Sequence, residues 1–198
     1  MNRPRLLLPR ACCDCVPLLL CCVVMGGSSS KQSKCLVVGL DNSGKSTIIN
    51  HLKPDTKKAT ELVATVGFLV EKFKYGNVNF TMFDMSGAGR YRNLWEHYYA
   101  EAEGIIFVID SAEAVRMCVV KDELDTLLAH KDIAKRSIPI LFFANKSDLP
   151  KALTPAQISE ALELNKLTDR DWNIVASNAL NGTGLEPGVK WLSQHLPQ

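Results

Sequence analysis

From residue 35 onward the chain alternates short runs of consecutive apolar residues with longer stretches in which apolar side chains recur every three or four positions. Runs at 35–39, 104–110, 138–144 and 172–176 have the length and continuity of strands buried on both faces, and each leads into a helical pattern, the first at 44–52. Two further runs, 68–75 and 78–84, flank the turn Tyr75-Gly76-Asn77 and predict a hairpin, the one antiparallel element. Near the C-terminus, Leu185, Val189, Leu192 and Leu196 recur at helical spacing and form one apolar face that predicts a helix packed on a sheet. Repeated strand and helix imply βα crossovers. The expectation is therefore an α/β fold of three layers around a six-stranded, mostly parallel sheet. No internal repeat is evident.

Composition changes this picture mainly at the N-terminus. With 198 residues, 46% hydrophobic and 22% charged, the chain has the balance of one packed domain. Of the net charge of +2, residues 1–34 carry five basic side chains against the single Asp14, leaving the remainder slightly acidic. Nucleic acid is therefore not an expected partner. Cys12, Cys13, Cys15, Cys21 and Cys22 crowd into the first 22 residues, while Cys35 and Cys118 fall in a predicted strand and helix, so the cysteines do not form a disulfide framework. Residues 6–25 have the basic start and apolar body of a signal peptide, interrupted by Pro9, Arg10, Asp14 and Pro17. Their longest unbroken run, 18–25, is too short to span a bilayer. The small polar stretch 26–34 reads as a linker. The organisation expected is an N-terminal extension and linker at 1–33 and a single domain at 34–198.

Candidate chemistry begins at Gly39-Leu40-Asp41-Asn42-Ser43-Gly44-Lys45-Ser46, followed by Thr47, a complete G-x-x-x-x-G-K-[ST] pattern between an apolar strand and a helix. In that setting backbone N–H groups wrap a phosphate and the helix N-terminus adds partial positive charge. Lys45 reaches the outer phosphates, and the Ser46 hydroxyl is placed for Mg²⁺. Asp84 ends the second hairpin strand and Gly87 follows, the pattern of an acid that holds a metal-bound water and an amide that touches the third phosphate. Asn145-Lys146-Ser147-Asp148 follows the run 138–144, at the same sheet edge as the phosphate loop. A carboxylate at Asp148 accepts two hydrogen bonds from guanine N1–H and its exocyclic amine, a donor pair adenine lacks, while the Lys146 stem covers the base. Paired hydrogen bonds of this kind discriminate by roughly 10⁴ to 10⁵. Ala176, at the end of the last strand, is the residue expected to offer a backbone N–H to the guanine oxygen.

The segments G-L-D-N-S-G-K-S, A-T-V-G-F, D-M-S-G, N-K-S-D and the final W-L together resemble the Arf and Arf-like branch of Ras-superfamily small GTPases, from about residue 34 to 196. The run Gly89-Arg90-Tyr91-Arg92-Asn93-Leu94-Trp95-Glu96-His97-Tyr98-Tyr99 is most similar to the ciliary members of that branch, which recruit a membrane coat, the BBSome. The resemblance implies the P-loop small-GTPase fold, GTP and GDP as ligands with Mg²⁺, and a monomer. It also implies a peripheral-membrane switch of the cytoplasm and cilium, governed by an exchange factor and an activating protein. It carries the switch I threonine over to Thr65, which completes the Mg²⁺ shell when the third phosphate is present, so that order depends on GTP. It makes Phe68, Phe83 and Tyr98 the aromatic cluster on which effectors dock.

Three departures from the family pattern change these expectations. The D-x-x-G-Q motif reads Asp84-Met85-Ser86-Gly87-Ala88, so a methyl group stands where a glutamine orients the attacking water. Loss of such a group costs roughly 10² to 10⁴ in rate, which predicts GTP binding with very slow hydrolysis. Ala64 replaces the proline that precedes the switch I threonine, predicting a less rigid loop. Finally, the chain does not begin with Met-Gly, yet Met25-Gly26-Gly27-Ser28-Ser29-Ser30 fits the N-myristoylation pattern. If translation starts at Met25, Gly26 is the acceptor; if it starts at Met1, the cysteines between 12 and 22 are the candidates for palmitoylation.

Overall fold

The computed structural model describes residues 31–197. Gly26, the cysteines between 12 and 22 and residues 1–30 of the extension read as 1–33 lie outside them. The elements are β1 (Lys31–Val38), α1 (Lys45–Leu52), β2 (Phe68–Tyr75), β3 (Val78–Met85), α2 (Glu96–Tyr99), β4 (Gly104–Asp110), α3 (Met117–Ala129), α4 (Lys131–Ala134), β5 (Ile140–Asn145), α5 (Pro155–Ala161), β6 (Trp172–Ala176) and α6 (Leu185–His195). They build one six-stranded sheet in the order β2-β3-β1-β4-β5-β6. Only the β2–β3 pair is antiparallel; every other pairing is parallel.

Continuous burial explains the central strands. Ile105 through Ile109 and Ile140 through Ala144 are all at most 1% exposed, because helices cover both faces of the sheet. On one face Leu36, Phe83, Phe107 and Phe142 pack beneath Trp95, Tyr99, Leu124, Leu127 and Ile158 from α2, α3, α5 and the turn before α2. On the other, Val37, Phe80, Ile106 and Phe143 pack beneath Ile48, Ile49 and Leu52 of α1 and Leu185, Val189, Leu192 and Leu196 at α6. The four apolar positions spaced along the last helix are thus all buried, and the three-layer expectation holds.

Two boundaries differ from the sequence reading by more than one residue. β1 starts at Lys31, where Lys31 through Lys34 pair with Val78 through Thr81 and Ser33 is buried, so the last residues of the predicted linker belong to the sheet. β5 starts at Ile140 instead of residue 138, since Pro139 has no N–H to give to a ladder. Among the described residues no helix is long and apolar enough to cross a membrane.

Candidate functional site

The loops after β1, β3, β5 and β6 reach the site from the carboxyl ends of their strands, and the Thr65 loop, which runs from α1 into the antiparallel β2, arrives at the same edge of the sheet. The phosphate loop follows β1 and ends at Gly44, whose φ of 96° belongs to the left-handed region that favours glycine. A side chain at Gly44 would strike the Asn145 amide, and that amide donates from Nδ2 to the Ser43 carbonyl oxygen at 2.8 Å. Asn145 therefore braces the phosphate loop against the segment after β5. Lys45, the first residue of α1, is 6% exposed and donates from Nζ to the Leu40 carbonyl oxygen at 2.7 Å, lying along the inside of the loop. Burial lowers its pKa to about 8. Phosphate oxygens in the loop would supply the negative charge that burial denies it.

The predicted metal-side residues converge. Ser46 donates from Oγ to Asp84 Oδ2 at 2.6 Å, and Thr65 Oγ1 lies 3.0 Å from Ser46 Oγ and 3.4 Å from Asp84 Oδ2. Thr65 reaches this point because the loop that carries it is tethered on both sides of it. Asn50 both donates to the Ala59 carbonyl and accepts from its N–H, and the Gly67 carbonyl accepts from Ser86 N–H at 2.9 Å. Burial raises the Asp84 pKa, and its second oxygen, Oδ1, is buried without a hydrogen-bond partner. A buried, half-satisfied carboxylate beside two hydroxyls fits a hydrated Mg²⁺. Among the described residues no group of three His, Cys, Asp or Glu is placed to hold a metal ion.

Around these groups lies an open cavity of about 400 Å³ lined by Asn42, Lys45, Ser46, Thr65, Gly87 and Ala88 among others. Gly87 packs so closely on the backbone of Leu40 and Asp41 that a side chain there has no room. A second cavity of about 250 Å³ adjoins it, sharing Asn42, Gly44 and Thr47 and bounded by Asn145, Lys146, Asp148 and Ala179. Lys146, at φ 60°, is held across the strand ends by an ion pair with Asp110, 2.6 Å from Nζ to Oδ2. Asp148 is exposed at the rim.

One sequence assignment is corrected here. Ala176 does not line the base cavity; it remains in β6, paired with Ala144, and the chain turns only afterwards. Asn178, Ala179 and Leu180 form that wall instead. The turn is made by Asn178, whose Oδ1 accepts from the N–H groups of Leu180 and Asn181. An Asn two residues past a strand, followed by Asn181-Gly182, is the turn signal that locates this loop. Phe68 and Phe83 each place their ring 4.9 Å from the Tyr98 ring, so the aromatic cluster exists, but Phe83 is 7% exposed and Phe68 41%.

A phosphate loop bounded by a strand and a helix, and joined to a base cavity carrying the N-K-x-D set, defines a guanine-nucleotide-binding small GTPase fold. The model of the ADP-ribosylation factor family matches residues 21–196, and the chain belongs to that family. It is 56% identical over 166 residues to ADP-ribosylation factor-like protein 6 of Danio rerio, covering 84% of this chain and 89% of that protein. Identity to the protein of the same name from Caenorhabditis elegans is 43%, over 84% of this chain and 87% of that one. Among solved structures, the Arl6 BBS3 small GTPase from Trypanosoma brucei with bound nucleotide analogue GppNp is similar at a TM-score of 0.78 and 46% identity, covering 83% of this chain and 96% of that one. The chain is an Arf-like GTP-binding switch.

Proposed function

We propose that this switch is loaded with GTP and Mg²⁺, hydrolyses GTP very slowly, and in its GTP state recruits a coat or effector complex to a membrane, in ciliary trafficking. Gly39 through Thr47 hold the phosphates, Ser46 and Thr65 ligate Mg²⁺, and Asp84 holds its water. Gly87 N–H meets the third phosphate, and Asn145, Lys146 and Asp148 frame the guanine, with the Asn178–Leu180 loop in place of Ala176. The likeness to ADP-ribosylation factor-like protein 6 supports the ciliary assignment and a BBSome-like coat as partner. Phe68, exposed, and Tyr98, half-buried, form the part of the docking cluster nearest the solvent. Attachment to the membrane surface through Gly26 or the cysteine cluster belongs to the same reading.

The observation that carries slow turnover is the wall beside the third phosphate. Ala88 lines it beside Gly87 and has no polar side chain to orient water, while the Thr65 hydroxyl in the same wall is the one assigned to Mg²⁺. Single-turnover hydrolysis of bound GTP by the full chain, compared with Ala88→Gln, is the test. The expected result is native turnover near zero with an increase of roughly 10² to 10⁴ in the variant. Similar, appreciable rates in both would show that another group positions the water and would overturn the reading. The same Ala88 supports a second reading, a permanently GTP-loaded binding module. It predicts that no activating protein restores turnover to the native chain, whereas a switch responds to a partner that inserts the missing group.

A further inference from the structure

Where the segment after β3 meets the phosphate loop and α3, five charged side chains form a network. Arg92 lies at its centre in the 3₁₀ segment Gly89–Leu94. Its Nε donates to the Gly87 carbonyl oxygen at 2.8 Å, its Nη1 pairs with Glu123 of α3, and its Nη2 lies 3.7 Å from Asp41 Oδ1. Arg116, just before α3, pairs with Asp41 through Nη2 and with Glu113 through Nη1. Its guanidinium holds the Asp41 carboxyl below the usual carboxylate range. The Arg92 side chain is 16% exposed, so its guanidinium is engaged in three directions and largely shielded from water.

The peptide on the other side of Gly87 is held as well. Trp95, 1% exposed, donates from Nε1 to the Ser86 carbonyl oxygen at 3.0 Å. In a trans peptide the C=O and the next N–H point in opposite directions. Anchoring Ser86 C=O on Trp95 therefore turns Gly87 N–H away from the indole, and fixing Gly87 C=O on Arg92 removes the remaining freedom of that residue. We infer that Arg92 is a positioning residue for triphosphate recognition: aimed by Glu123 and Asp41, it acts with Trp95 to present Gly87 N–H to the third phosphate of GTP.

This rests on the reading of Gly87 as the amide that meets that phosphate. Dissociation rates of GppNp and of GDP are measured on the full chain and on Arg92→Gln, Arg92→Lys and Glu123→Gln. Arg92→Gln is expected to release GppNp about tenfold faster, the weight of one charge-assisted hydrogen bond, while GDP release changes less than about twofold. Glu123→Gln, which leaves Arg92 in place but unaimed, is expected to give a smaller effect of the same selectivity. Arg92→Lys keeps the charge but cannot reach Gly87 and Glu123 together, so it should resemble Arg92→Gln. A merely structural role would raise both release rates alike, and a simple charge effect would be restored by lysine; either result overturns the proposal. The Gly87 amide proton shift, compared by NMR between the GDP-loaded and GppNp-loaded native protein, separates it from its premise. If that shift does not move downfield with GppNp, Gly87 does not meet the phosphate; if it moves while Arg92→Gln keeps the native ratio of rates, the premise stands and the role of Arg92 falls.

Discussion

Asp148 shows how much one side chain is asked to do. It stands exposed at the rim of the base cavity and makes no hydrogen bond among the described residues, so both carboxylate oxygens are available to a base. Hydrogen bonds to a charged acceptor are worth roughly 1.5 to 3 kcal/mol each. Asp148→Asn is therefore expected to weaken GDP binding on the order of 10²-fold or more, measured by displacement of labelled GDP. Because the new amide offers a donor where xanthine carries a carbonyl, the same variant should gain affinity for xanthosine diphosphate; an unchanged guanine preference would remove Asp148 from the base site. Asp148 was legible in the sequence because N-K-x-D follows a continuous apolar run and so falls at a strand end. The third wall of the base cavity was not, because β6 runs to Ala176 before an Asx turn at Asn178 redirects the chain, and a strand end alone does not show how far past it the loop begins. Arg92 was still less legible, since its partners lie 31 residues away at Glu123 and on the far side of the phosphate loop at Asp41.

At the scale of elements, the β2–β3 hairpin places residues of similar chemistry in different surroundings. Val70 pairs with Phe83 and Phe68 with Met85, so neighbouring rungs carry the aromatic cluster, but β2 is the sheet edge and β3 lies inside it. The resemblance treats Phe68, Phe83 and Tyr98 as one docking unit; the topology divides them into a surface residue and a core residue. Phe83→Ala should cost about 3 to 5 kcal/mol of stability, as core aromatic truncations do, seen as a lower midpoint in chemical denaturation. Phe68→Ala should leave the midpoint within about 1 kcal/mol and weaken capture of a coat or effector complex by the GppNp-loaded protein. Equal loss of stability in both variants would mean that Phe68 is structural. Period alone could not make this distinction, because an edge strand and its inner neighbour have the same alternation, and only the strand order separates them.

For the molecule as a whole, the nucleotide site is an assembly point for five separate segments of the chain. The phosphate loop after β1, the Thr65 loop, the segment after β3 and the loops after β5 and β6 meet around two adjoining cavities. The carboxyl-end rule for parallel sheets made that convergence predictable from the order of strands and motifs. A ligand bridging these segments binds the folded state alone, so it stabilises by mass action, about 2.7 kcal/mol at one hundred times its dissociation constant. At the size of this chain that corresponds to roughly 5 to 11 °C in melting temperature. Ser46, Thr65 and Asp84 lie within 3.4 Å of one another, and on the proposed reading Thr65 belongs to the loop that the third phosphate recruits. Metal removal should therefore act unequally. With EDTA in place of Mg²⁺, the melting temperature of the GppNp-loaded protein is expected to fall further than that of the GDP-loaded protein, because only the triphosphate form loses the Thr65 contact along with the Ser46 contact. Thr65→Ala should reduce that difference, since the loop then has no hydroxyl to give the metal. Equal losses with both nucleotides, in native protein and variant alike, would place Thr65 outside the metal shell and remove the link between GTP and order in the switch.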